Sequence, residues 1–167
     1  VHRRRHGCGR PVRGCALKPR ADAATPTTHV LRASFKAKVY RDIEIEGSSS
    51  LSALAEAIIM AFDFAFDHPF GYYSDVKNPY SRKGERYELF ADMEDGDSDA
   101  SSVERTTVAE VFDVPGKKML FVFDYGDDWR FLIEAKANGK KAPKTRYPRL
   151  VASVGKAPEQ YPDYDEE

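Results

Sequence analysis

The amino-acid sequence predicts a single compact α+β domain with a mostly antiparallel sheet, two or three helices and a disordered basic tail at its N-terminus. Three patterns predict this fold class. Apolar residues alternate over 31–45, apolar residues with helical spacing follow over 51–62, and MLFVFDYGDDW at 119–129 has the pattern of a β-hairpin. At 167 residues, the chain has the length of one domain with short extensions.

The N-terminal tail, residues 1–29, has no periodic apolar pattern, and we expect it to be disordered. It holds seven Lys or Arg side chains against one Asp, a net charge of +6. It is open to four interpretations: a nucleic-acid-binding arm, a localisation tag, a zinc site, or upstream sequence translated from a start codon assigned too early, which we favour. The zinc ligands would be His2, His6, Cys8 and Cys15, whose spacing matches no standard zinc motif.

The folded domain is expected to start near Val30 with a long strand. Odd positions of residues 31–45 are apolar apart from Arg41, and this period of two indicates a strand with one buried face, interrupted near Arg41. Gly47 and three serines break the pattern, and Ser50 is placed to cap a helix. The helix itself is predicted by the apolar residues Leu51, Leu54, Ala55, Ile58 and Phe62.

Residues 62–74, FDFAFDHPFGYYS, hold six aromatic side chains and one histidine. We expect a helix end that leads into a strand, with the aromatic side chains packed in the core. Stacking on nucleic-acid bases is disfavoured because the charged neighbours are Asp rather than Lys or Arg. A polar loop over 75–85, a short strand over 86–90 and a mobile acidic loop over 92–104 are predicted to follow.

The last elements are a short helix and a hairpin. Thr107 and Glu110 have the spacing of a capping box, which predicts a helix over 108–112. The hairpin then comprises a strand at 118–124, an acidic turn and a second strand at 129–136. The domain is expected to end at residue 162, and the acidic residues 163–167 to fray.

Charge and composition argue against several classes of protein. Residues 30–167 carry 19 basic and 26 acidic side chains, a net charge of −7, which is a poor match to nucleic-acid phosphates. The longest apolar run, 57–62, is far shorter than the roughly 20 residues that cross a bilayer. Both cysteines lie in the tail, so the domain can hold no internal disulfide, and this favours a reducing, cytoplasmic setting.

Five segments carry a family resemblance. In chain order they are YRDIEI at 40–45, SLSALAEAI at 50–58, AFDFAFDHPFGYYS at 61–74, KKMLFVFDYGDDWRFLIE at 117–134 and RYPRLVASVGKAPEQYP at 146–162. Together they resemble the plasmid pRiA4b ORF-3-like family, whose members are also described as passenger proteins of an insertion element. The resemblance implies a compact α+β domain of bacteria and archaea that is often found near mobile elements. It implies no established activity.

The candidate functional cluster is the acidic turn of the hairpin with its neighbours. Its members are His68, Asp124, Asp127, Asp128 and Trp129, with Glu159 as a further candidate partner. Carboxylates at a turn supply the oxygen ligands that Mg²⁺, Mn²⁺ and Ca²⁺ prefer, and a histidine shifts the preference toward Mn²⁺ or Zn²⁺. Two metals held in this way could catalyse phosphodiester hydrolysis.

A structural interpretation of the same residues is the one we favour. Asp is common in turns because its side chain accepts hydrogen bonds from nearby backbone N–H groups. On this interpretation, Asp124 caps the turn and Gly126 supplies a positive φ. Asp127 and Asp128 pair with Arg130 or Arg149, and Trp129 belongs to the core.

His68 is the only histidine of the domain if the domain starts at Val30. The adjacent Asp67 could fix its tautomer and raise its pKa, as in a general base. A lone histidine among aromatic side chains is also typical of a hydrogen-bonded packing residue, and we favour that role.

Two functions from different classes are therefore considered. The first, which we favour, is a non-catalytic module that binds a protein or a small ligand in a cleft between residues 62–74 and the acidic turn. The second is a metal-dependent hydrolase that acts on a phosphorylated or nucleic-acid substrate. No residue is assigned as catalytic, and a divalent metal is the only cofactor considered.

Overall fold

The computed structural model describes residues 27–92 and 99–162. Much of the predicted tail, the middle of the predicted acidic loop and the last five residues lie outside these ranges. The elements are β1 (Thr28–Lys36), β2 (Val39–Glu46), α1 (Leu51–Ala61), β3 (Phe70–Tyr73), β4 (Arg86–Glu88), a 3-10 helix (Leu89–Asp92), β5 (Ser101–Ser102), α2 (Val108–Val111), β6 (Lys118–Phe123), β7 (Trp129–Gly139) and β8 (Arg149–Val154).

In the described part of the chain, the strands form one eight-stranded sheet in the order β5-β4-β3-β6-β7-β1-β2-β8. Every neighbouring pair is antiparallel except β4 with β5. The α+β class and the mostly antiparallel sheet are therefore confirmed, and the described residues include two α-helices and one 3-10 helix. No helix among the described residues is both long and apolar enough to cross a membrane.

The first strand is a hairpin rather than one long strand. The chain turns at residues 37–38, between β1 and β2, and not near Arg41. Leu31 pairs with Ile43 in the β1–β2 ladder, so odd-numbered residues face odd-numbered residues. The alternating pattern continues in phase through the turn, which explains why the sequence pattern does not reveal it.

Strand β1 begins two residues earlier than Val30. Thr28 opens β1 and pairs with Glu46, and His29 is the next residue of the strand. His29 is buried, so His68 is not the only histidine of the domain.

Helix α1 is held by the predicted cap and by an apolar face. The Ser50 side chain accepts a hydrogen bond from the backbone N–H of Ala53 at 3.0 Å. The buried residues of the helix are Leu51, Leu54, Ala55, Ile58 and Ile59. They pack into a core cluster with residues from the sheet, including Leu31, Ile43 and Phe131.

The short helix α2 also has its predicted cap. Glu110 N–H donates to the Thr107 hydroxyl at 3.3 Å, and Thr107 N–H donates to the Glu110 carboxylate at 2.8 Å. This capping box confirms the sequence prediction.

The six aromatic side chains of residues 62–74 mostly pack in the core, as predicted. Phe66 is the exception, with 40% of its surface exposed. It nevertheless lies 5.4 Å from Phe70 and 6.1 Å from Phe123, measured between ring centroids. The others are Phe62, Phe64, Phe70, Tyr72 and Tyr73, all buried.

Candidate functional site

The turn of the β6–β7 hairpin spans residues 124–128, and we call it the hairpin corner. Asp124 and Asp128 adopt left-handed backbone conformations, with φ of 58° and 54°. Gly126 has no positive φ, so the prediction that it supplies one is wrong. Asp tolerates this conformation because its short side chain hydrogen-bonds locally, and the turn therefore needs no glycine for it.

The Asp124 side chain caps the hairpin corner from inside. Its Oδ1 accepts hydrogen bonds from the backbone N–H groups of Gly126 at 3.1 Å and Asp127 at 3.3 Å. Asp124 N–H donates to the carbonyl of Pro69 at 2.9 Å, which ties the corner to the chain before β3. Asp124 is 6% exposed, so this carboxylate is a structural part of the corner.

Asp124→Ala is expected to lower the free energy of unfolding by about 2–3 kcal/mol, because two backbone donors lose their acceptor and alanine must hold a left-handed backbone. Asp124→Asn retains a side-chain oxygen and the conformational tolerance, so it should cost about half as much. Urea unfolding followed by the fluorescence of Trp129, the only Trp of the chain, measures both values. Equal losses would contradict a capping role for the oxygen.

His68 lies between two carboxylates. Its Nδ1 is 2.6 Å from Asp67 Oδ1, and its Nε2 is 3.4 Å from Asp124 Oδ2. The hydrogen bond to Asp67 raises the pKa of His68, and the charge of Asp124 raises it further. The same hydrogen bond lowers the pKa of Asp67. With a carboxylate facing each nitrogen, the charged form of the imidazole is favoured relative to a free histidine.

His68→Gln is expected to reduce stability in a pH-dependent way. The contribution of His68 to the stability of the fold is fully present below the ordinary histidine pKa of 6.5, and it is lost as the pH rises through the raised pKa of His68. The contribution of Asp67 is present above its ordinary pKa of 3.8 and is lost as the pH falls through the lowered pKa. The difference in thermal stability between wild type and variant should be largest between about pH 4 and 6.5 and should shrink as the pH rises through the raised pKa of His68. A difference that grows with pH would contradict a charged His68.

The segment after β8, residues 156–162, closes one side of the site, and we call it the C-terminal segment. The Gln160 side chain accepts from Ala65 N–H at 2.7 Å and donates to Ala65 C=O at 3.1 Å. The Tyr161 hydroxyl donates to Asp67 Oδ2 at 3.0 Å. Glu159, the residue considered as a partner from the sequence, is exposed and makes no hydrogen bond or ion pair with any described residue. The roles of Gln160 and Tyr161 could not be predicted from the sequence, because no local pattern marks a contact across more than ninety residues.

Trp129 packs on its inner side and borders a cavity. Its ring lies edge-on to Phe64, with centroids 4.8 Å apart, and tilted against Phe35 at 5.7 Å. Its indole N–H is buried and has no acceptor within residues 27–92 and 99–162. The cavity has a volume of about 400 Å³ and is lined by Asp127, Trp129, Gln160, Tyr161 and Pro162.

The carboxylates of the hairpin corner differ in their partners. The Asp124 carboxylate accepts from two backbone N–H groups of the turn and faces His68. The Asp128 carboxylate pairs with Arg130 at 3.0 Å. Arg149 pairs with Glu44 at 2.6 Å and with neither predicted aspartate. Among the described residues, no hydrogen bond or ion pair involves the Asp127 carboxylate, and Asp127 is exposed. Asp127 is therefore the corner's free carboxylate, and it lines the cavity.

Comparisons with known proteins agree with the sequence resemblance. The profile of the family described as plasmid pRiA4b ORF-3-like protein matches residues 28–161. The chain belongs to this family. A protein of unknown function from Methanosarcina mazei Go1 has a similar crystal structure, with a TM-score of 0.59 and 15% sequence identity, over 75% of this chain and 68% of that one. At this identity, the likeness shows the fold alone. No curated protein matches the chain.

In this pRiA4b ORF-3-like domain, the metal-ligand candidates do not converge. No group of three His, Cys, Asp or Glu side chains within the described ranges is arranged to hold a metal ion. Asp124 Oδ1 is used by the turn and its Oδ2 faces His68, while Asp128 is paired with Arg130. A metal at this corner would have to displace contacts that hold the turn together.

Proposed function

We propose that this pRiA4b ORF-3-like domain is a non-catalytic binding module. Its ligand, a small molecule or a short segment of a partner protein, enters the cavity between the hairpin corner and the C-terminal segment, which is hydrogen-bonded to Ala65. One observation carries the proposal: the titratable groups that resemble a catalytic site are paired with one another, while the adjacent cavity of about 400 Å³ has aromatic walls and a free polar side chain. Cavities of this kind are typical of ligand sites.

The pairing of the polar groups supports binding over catalysis. A general base needs a free nitrogen or oxygen close to the proton that it removes. His68 has a carboxylate at each ring nitrogen, and the Asp67 carboxylate accepts from Tyr161 as well as facing His68. These contacts support a structural role for His68 and Asp67, in which they fix the shape of the cleft.

The family description, the net charge and the positions of the cysteines support the expected location and ligand class of the proposed module. The family description refers to a plasmid, which supports an association with mobile elements in bacteria. The net charge of −7 over residues 30–167 supports a protein or small-molecule ligand over a nucleic acid. The placement of both cysteines in residues 1–29 supports a cytoplasmic location.

The fluorescence of Trp129 tests the proposal, because this residue is the only Trp of the chain and lines the cavity. We expect at least one class of compound in a panel of amines, carboxylates, phosphates, neutral aromatic compounds and short peptides to change the Trp129 emission saturably and to raise the melting temperature. Tyr161→Ala should weaken that binding, and Tyr161→Phe, which keeps the ring, should weaken it less. The absence of any saturable response across the panel would refute the proposal.

A metal and activity series separates the binding module from the hydrolase. Mg²⁺, Mn²⁺ and Zn²⁺ are titrated by calorimetry, and a generic phosphodiester is supplied with each metal. We expect neither metal-induced thermal stabilisation nor turnover. Tight metal binding together with turnover, both lost in Asp124→Asn, would overturn the non-catalytic assignment.

A further inference from the structure

The free carboxylate and the aromatic walls of the cavity define the chemistry of its ligand. We propose that the cavity binds a cationic nitrogen, an alkylammonium or guanidinium group, of the kind that a Lys or Arg side chain carries. This inference rests on the proposed binding function and names its ligand class.

The cavity wall carries one unpaired negative charge among the described residues, that of Asp127. Asp127 lines the cavity and its carboxylate is unpaired among the described residues, whereas Asp124 and Asp128 are both engaged. An unpaired carboxylate at a cavity wall favours a positive ligand, because the Coulomb attraction of the pair is opposed only by the partial dehydration of an exposed group. The cavity is thus complementary to one positive charge.

Two walls of the cavity are aromatic. Trp129 and Tyr161 line the same cavity as Asp127. Aromatic faces attract cations at distances up to about 6 Å, and Trp is the strongest such partner. An anion placed between these rings and Asp127 would be repelled by the carboxylate and would gain nothing from the rings. The walls therefore favour the same sign of ligand charge as Asp127 does.

The electrostatic potential at Tyr161 is negative because of the nearby carboxylates. The pKa of its phenol is raised, first by partial removal from solvent, then by the hydrogen bond to Asp67, with further contributions from the charges of Asp124 and Asp127. The carboxylates thus act together at this wall of the cavity. Their combined field disfavours a negative charge there.

The indole N–H of Trp129 is a second, independent indication of a ligand. It is a buried donor without an acceptor among the described residues, an arrangement that is uncommon in native proteins because it costs free energy. A ligand that carries a carbonyl oxygen near its cationic group, as a lysine or arginine residue in a peptide does, would supply this acceptor after a small shift of the Trp129 ring, because the nitrogen itself is buried.

Trp129 fluorescence titrations of the full chain test the inference with three probes: n-butylamine, N-acetyl-lysine methylamide and N-acetyl-norleucine methylamide. The lysine derivative should bind more tightly than n-butylamine, which lacks the carbonyl groups, and the uncharged norleucine derivative should not bind. If n-butylamine binds as tightly as the lysine derivative, the source of the cation is a free amine rather than a peptide side chain, and the ligand class stands. Binding of the norleucine derivative equal to that of the lysine derivative would overturn the cationic assignment.

Two matched variants locate the effect. Asp127→Asn should weaken binding of the lysine derivative by about fivefold, the size expected for one exposed ion pair. Asp128→Asn removes the same charge one residue away, from a carboxylate that pairs with Arg130 and does not line the cavity, so binding should change by less than about twofold. Equal losses in the two variants, or no loss in Asp127→Asn, would overturn the inference.

The outcome also separates this inference from the proposed function. If no cationic probe binds but another class of compound changes Trp129 emission saturably, the cavity is a binding site for a different chemistry and only the present inference fails. If no compound of any class binds, both fail.

Discussion

Gly155→Ala is expected to destabilise the domain by about 3 kcal/mol, the largest effect that we expect from a single methyl group in this chain. Gly155 follows β8 and has a φ of +79°. A Cβ at this position would overlap the backbone carbonyl oxygen of Lys38 and would lie 3.0 Å from Val39 Cα. Because the colliding atoms belong to the backbone of the β1–β2 turn, they cannot move aside as a flexible side chain would.

Gly116→Ala is the matched control. Gly116 also has a positive φ, of +95°, but a Cβ there would have no atom within 4 Å. This variant should cost about 1 kcal/mol, the strain of a left-handed alanine alone. Urea unfolding of the two variants gives the difference, which measures the close approach of β8 to the β1–β2 turn. Equal losses would mean that the backbone conformation, and not the contact, makes glycine necessary at position 155.

Arg41→Ala is expected to cost about 3 kcal/mol. Arg41 is 5% exposed and forms no ion pair among the described residues. Its guanidinium donates to three carbonyl oxygens, those of Tyr40 at 2.9 Å, Val154 at 2.9 Å and Ala61 at 3.1 Å. Ala61 is the last residue of α1, where the helix dipole favours a positive charge. Truncation leaves these carbonyls without their donor and leaves Phe62 without the cation that lies 4.9 Å from its ring centroid.

Arg41→Lys separates charge from geometry. Lysine keeps the positive charge near the end of α1 but cannot place several planar donors on three carbonyls at once. We expect it to restore about half of the lost stability in urea unfolding. The amide resonance of Val154, followed by NMR, should report a looser β8 in both variants. Full restoration by lysine would show that the charge alone matters.

The elements that the sequence predicts are those whose signals are local. Ser50 and the spacing of α1, the Thr107–Glu110 capping box and the β6–β7 hairpin all depend on residues within a few positions of one another. The turn between β1 and β2 is hidden because the alternation continues in phase across it. Strand β8 is hidden for a different reason: most of its side chains are exposed, so no alternating burial pattern marks it.

The candidate site was only partly predictable from the sequence. The hairpin corner is a local motif, and the Asp67–His68 contact joins adjacent residues. Which carboxylate stays free depends on one contact between distant segments, Asp124 with His68, and on one local ion pair, Asp128 with Arg130. The burial of His29 beneath Gly47 is likewise a tertiary contact, with His29 Nε2 3.0 Å from where a Cβ on Gly47 would lie.

The hydrogen bonds between Gln160 and Ala65 join residues 95 positions apart. During synthesis, the aromatic segment leaves the ribosome long before the residues that will form the opposite wall of the cleft. The hairpin and most of the sheet can assemble on the nascent chain, whereas the cleft acquires its second wall only after Tyr161 has been released from the exit tunnel. A chain interrupted a few residues earlier would keep nearly all of the core and lose this wall, so premature termination would abolish the site while leaving much of the fold in place.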